Sequence, residues 1–123
     1  MGGWNGAHLS QILTDAGYKV KMLITLDPVG EGFLVYVGSN IYRRKPMPKA
    51  DFWINLKAVP NKPDQSDSVA EFGERWNIKS GPNINNEANL NHYNAKKMFT
   101  INLSTGKSAC KYLLDAVNLL INQ

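Results

Sequence analysis

Apolar residues change their spacing several times along this chain, and each change predicts an element. Over residues 6–16, Leu9, Ile12, Leu13 and Ala16 recur at helical intervals, and Gly17 follows as a natural C-cap. Residues 18–26 read YKVKMLITL, alternating at first and then continuously apolar through Met22-Leu23-Ile24. That is the pattern of a strand buried on both faces, as in parallel sheets, and Pro28 and Gly30 stop it. Residues 28–50 predict a loop-rich excursion in which 33–37 (FLVYV) forms a short strand or a helical turn. Residues 51–59 predict a second strand, with Phe52, Ile54, Leu56 and Ala58 alternating, Trp53 breaking the alternation and Pro60 ending it. Residues 61–91 are polar and without a sustained period, which predicts a long functional or mobile connection. A short helix is expected at 93–99 and a clear one at 108–121, where Ala109, Tyr112, Leu113, Ala116, Val117 and Leu120 form an apolar stripe.

Helices and strands in this order predict an α/β fold in a single domain spanning 1–123, although two strands are too few to make an independent parallel sheet. Composition changes this picture little. The charge of +4 comes with one dense basic run, Arg43-Arg44-Lys45, and otherwise scattered lysines, so no basic face for tracking nucleic acid is expected. The lone Cys110 excludes a disulfide or a cysteine-based zinc site within one chain, and its place on a helical stripe reads as a small core residue. No apolar run reaches the roughly 18 residues of a membrane span. Residues 1–17 lack a basic segment followed by an apolar one, so no leader is expected and the cytoplasm is the default compartment.

Three features carry candidate chemistry. The first is the start, Met1-Gly2-Gly3-Trp4-Asn5-Gly6-Ala7, whose small residues allow a strand, a tight turn and a helix to pack closely. The second is Leu23-Ile24-Thr25-Leu26-Asp27-Pro28-Val29, a buried-type strand that ends in an acid. A carboxylate at a C-terminal strand end can orient a histidine and stabilise its imidazolium, while Asp-Pro is also a common turn opener. The third is Asn91-His92-Tyr93 in a late polar loop. His92 can serve as a general base if that loop folds back over the strand ends, and reads otherwise as an ordinary surface histidine.

Taken together and in this order, the three features resemble the C-terminal half of a lipase- or esterase-type α/β-hydrolase. Met1-Gly2 matches the two positions that follow serine in a Gly-X-Ser-X-Gly elbow, and the family's order is Ser, acid, His. The resemblance implies a partial α/β-hydrolase fold: the elbow helix, two or three late strands and C-terminal helices, without the strands that precede the elbow. It implies Asp27 as triad acid, with Asp64 as the rival one strand later, His92 as general base, and Met1 as the residue whose amide helps form the oxyanion hole. Phe33, Leu34, Tyr36 and Trp76 become candidates for an apolar pocket lining, or equally for core. Neither a cofactor nor a metal is implied.

The chain departs from the family in having no Gly-X-Ser-X-Gly anywhere. A triad without its nucleophile forms no acyl-enzyme. The chain is therefore expected to be inactive toward esters alone, to begin just past the serine, and to need a complementary N-terminal half or a second copy of itself. The alternative is a non-catalytic, hydrolase-derived binding or inhibitory module that acts through a protein partner.

Overall fold

The computed structural model describes residues 1–33 and 44–123. Within them the chain forms α1 (Gly2–Asp15), β1 (Met22–Leu26), β2 (Phe52–Ala58), α2 (Gln65–Phe72), β3 (Ile84–Ala88), α3 (Ala95–Thr100) and α4 (Ala109–Ile121). The three strands make one parallel sheet in the order β1-β2-β3, with Ile24 opposite Ile54 and Ile54 opposite Ile84. The described residues thus form a small mixed α/β domain with four helices around a three-stranded parallel sheet.

Alternation along the strands sends side chains to two different cores. Ile54, Leu56, Ala58, Ile84 and Ala88 face Met98 of α3, Leu103 and Ala109 of α4. The opposite face carries Leu23 and Trp53, which pack against Trp4 and Ala7 of α1 and against Trp76. Trp53 therefore breaks the apolar alternation because it belongs to a second core. Its indole donates to Thr25 Oγ1 at 3.0 Å, and Thr25 donates to Asn55 at 2.7 Å. A polar pair is thereby satisfied inside the sheet, where it would otherwise cost stability.

Several elements differ from the sequence reading. Helix α1 begins at Gly2, and the face it buries carries Trp4, Ala7, His8 and Ser10, whereas Leu9 and Ile12 are exposed. The three tryptophans packed together, Trp4, Trp53 and Trp76, outweigh the aliphatic stripe, since each buries far more apolar area than a leucine. The stripe on α4 is covered only in part: Ala109 is buried and Tyr112 stacks on Phe52, whereas Leu113, Val117 and Leu120 are exposed. Cys110 on the same helix is half-buried.

The polar stretch 61–91 holds both a helix and a strand. Helix α2 starts from a capping box in which Asp64 accepts from Ser66 N while Asp67 accepts from Asp64 N. Strand β3 reads INNEA and is secured by side-chain amides, with Asn55 Nδ2 donating to Asn85 Oδ1 at 2.9 Å. Neither element shows an apolar period.

Close packing at the end of β1 fixes the start of α1. A Cβ on Gly3 would fall 2.8 Å from Pro28 Cβ, and one on Gly30 would fall 2.5 Å from the Trp4 indole. Trp4 is fully buried and has nowhere to retreat. Gly30→Ala is therefore expected to destabilise the fold by about 1–3 kcal/mol through overpacking, read as a lower urea midpoint at unchanged slope.

Candidate active site

Asp27 lies one residue beyond β1, with its backbone N–H still donating to Leu56 O at 2.7 Å. Its φ of 44° places it in the left-handed region, which aspartate tolerates better than most residues. The turn directs the carboxylate inward, where it is 1% exposed and surrounded by donors. Ala58 N, at the end of β2, donates to Oδ1 at 3.0 Å. Arg75 Nε donates to both oxygens, at 3.0 and 2.9 Å, and His92 Nδ1 lies 2.7 Å from Oδ2.

Each partner arrives by a separate route. Residues 28–32 run beside 73–76, with Trp76 N donating to Pro28 O, Gly30 N to Glu74 O and Gly32 N to Gly73 O. This antiparallel contact, with Val29 opposite Arg75, brings the guanidinium over Asp27. His92 comes from the loop after β3, and Asp67 of α2 organises that loop. Asp67 Oδ1 accepts from His92 N at 3.0 Å and from Arg75 Nη2 at 2.8 Å, while Oδ2 accepts from Asn91 Nδ2 at 2.7 Å.

Burial alone would raise the Asp67 carboxyl, but donors from Asn91, the backbone of Asp64 and His92, and Arg75 hold it well below the usual carboxylate range. The Arg75 guanidinium is raised in turn by Asp27 and Asp67, against the opposing effect of its own burial. Two carboxylates share one guanidinium, so the cluster retains one negative charge with which to stabilise an imidazolium. With the Asp27 carboxylate accepting at Nδ1, a neutral His92 ring would leave Nε2 as its acceptor. Nε2 has no hydrogen bond among the described residues, and the side chain is 29% exposed. In the neutral ring that nitrogen is able to accept a proton.

Of the residues singled out from the sequence, Asp27 and His92 are brought together. Asp64 is not part of that contact: it caps α2, and its carboxylate accepts from Ser66. Met1 is the N-cap of α1. Burial lowers its α-amino group below the usual value while the nearby Asp27 carboxylate pulls it back up, which puts the head of α1 in reach of the same charge. Trp76 is buried between Trp4 and Trp53, at 5.6 and 5.7 Å between ring centroids, and also lines a cleft of about 640 Å³ with Pro46, Pro48 and Ile78. Phe33 is exposed, and Leu34 and Tyr36 lie outside the described residues. The other histidine, His8, is buried in α1 and hydrogen-bonds the Arg44 carbonyl through Nε2 at 2.9 Å.

Sequence reading missed Asp67 and Arg75. The Asp-X-X-Asp spacing of the capping box was the available signal for Asp67; Arg75 offered none, since its role depends on a pairing between distant segments. Among the described residues no group of three or more histidine, cysteine, aspartate or glutamate side chains is arranged to hold a metal. No described helix is long and apolar enough to cross a membrane. Compared with protein-family models, curated proteins and solved structures, the chain matches none of them.

Asp67 carries a pH dependence of known sign. Its lowered folded pKa contributes stability that is complete above its unfolded pKa of about 4 and is lost as pH falls toward the folded value. Asp67→Asn should therefore be clearly less stable than the wild type at pH 7, with the gap narrowing as pH falls below about 4. Thermal midpoints of both proteins across that range read this directly.

Proposed function

We propose that this chain supplies the acid and the base of a serine ester hydrolase of the lipase or esterase type, with the nucleophile provided from outside the sequence given. The carrying observation is the 2.7 Å contact between Asp27 Oδ2 and His92 Nδ1, made by a buried carboxylate at a strand end and a histidine from a late loop. Asp27 orients the ring and stabilises its cation; His92 Nε2 takes the proton from serine and returns it to the leaving alcohol.

Two further observations support the reading. The head of α1 lies against the end of β1, with Gly3 packed on Pro28, as a turn bearing a nucleophile requires. In addition, among the described residues β1 pairs with β2 alone, and the reading sets a further parallel strand, ending near Met1, along its other edge. The reading requires that strand to bring a serine within reach of His92. An acyl ester is the substrate class, and Phe33 and Phe72, exposed near the segment that carries Arg75, would meet its apolar part.

A second reading, a non-catalytic module that docks on a partner, draws on the exposed Leu114, Leu119 and Ile121 of α4. Activity separates the two. The chain as given should not turn over p-nitrophenyl butyrate. A form extended ahead of Met1 by a strand ending in Gly-X-Ser should release nitrophenolate and become phosphonylated on that serine, and His92→Ala should slow it by about 10³-fold or more. A folded extended protein that is inert, or equally active without His92, would exclude the hydrolase reading.

A further inference from the structure

The Asp27–His92 contact belongs to a closed ring of hydrogen bonds. Asp27 Oδ2 meets His92 Nδ1, the His92 backbone N–H donates to Asp67 Oδ1, Arg75 Nη2 donates to the same Asp67 oxygen, and Arg75 Nε returns to Asp27. Every bond in the ring involves at least one charged group, and both carboxylates are 1% exposed. Such bonds are short and directional, so the ring fixes the histidine at two points, its ring nitrogen and its backbone.

The backbone is strained on both sides of the ring. Asp27 and Glu74 are the non-glycine residues with positive φ among those described, at 44° and 58°, and they flank the Asp27–Arg75 contact. Each such conformation is unfavourable and persists only where its surroundings over-determine it. An ordinary surface ion pair would not require this. Asp67 also has two duties: it closes the capping box of α2 and anchors the histidine loop. Arg75 alone would neutralise Asp27, and Asp67 restores the net negative charge. Among the described residues, charged groups near the ring include Glu71, whose exposed carboxylate is 3.9 Å from Arg75 Nη1, and the Met1 amine.

We infer that Arg75 and Asp67 are positioning residues that lock His92 in its Nδ1-protonated tautomer and aim Nε2 outward. Arg75 fixes the plane of the Asp27 carboxylate by donating Nε to both oxygens, and Asp67 holds the loop that delivers the ring. The inference rests on the reading of Asp27 and His92 as a working pair.

The test uses imidazole ¹⁵N spectra of the intact chain at mildly alkaline pH, with His8 and His92 distinguished by substitution of His8. Isolated histidine favours the Nε2–H tautomer; His92 should show almost wholly Nδ1–H. Arg75→Lys keeps the charge and loses the fork, and Asp67→Asn keeps the shape and loses the charge. Each should shift the tautomer ratio toward the free form by roughly tenfold, the effect expected from weakening a charge-assisted hydrogen bond. Folded variants with the wild-type ratio would overturn the inference. Should neither variant fold, the wild type decides: a resolved, slowly exchanging Arg75 Nε–H supports the ring, and an exchange-averaged one refutes it. None of these readouts uses a substrate. Tautomer shifts without ester hydrolysis by the serine-bearing form would refute the function alone, and hydrolysis with an unmoved tautomer would refute this inference alone.

Discussion

A buried carboxylate without partners is not tolerated in a small domain, and the placement of Asp27 constrains much of what surrounds it. Removing its charge from water costs several kcal/mol, which only well-aligned donors can offset. Arg75, Ala58 N and His92 are those donors, and they come from three separate parts of the chain. The end of β2, the pairing of residues 28–32 with 73–76, and the loop after β3 are therefore registered on one side chain. Asp67 extends the same constraint to α2. The parallel sheet sets the strand ends side by side, and the electrostatics of Asp27 determine what closes over them.

How much of this was legible in the sequence depends on whether a feature is local. The strands β1 and β2 announce themselves through apolar runs that turn chemistry ends, and the acid at the end of β1 is visible for the same reason. His92 could be singled out because the chain has only two histidines and only one of them lies in a late loop. Helix α2 and strand β3 were not legible, because capping and side-chain amide ladders hold them rather than apolar periodicity. Arg75 was illegible for a deeper reason. Its partner lies 48 residues away, and nothing in Glu74-Arg75-Trp76 separates it from a surface arginine.

The apolar stripes were misleading in the opposite way. Leu9 and Ile12 on α1, and Leu113, Val117 and Leu120 on α4, are exposed in a single chain. Periodicity reports that a face is apolar, not what covers it. The resemblance expected from residue order and the geometry at Asp27 concern the same two residues, Asp27 and His92.

The central claim is that Asp27 is held as a buried, paired anion and presented to His92. A double-mutant cycle on urea unfolding, with Asp27→Asn, Arg75→Gln and both together, tests it most directly. Each single change should cost about 3–5 kcal/mol because it leaves an uncompensated buried group, and the double variant should fall short of their sum by about 2 kcal/mol or more. Single costs that add to within about 0.5 kcal/mol would contradict the claim, since the two side chains would then not depend on one another.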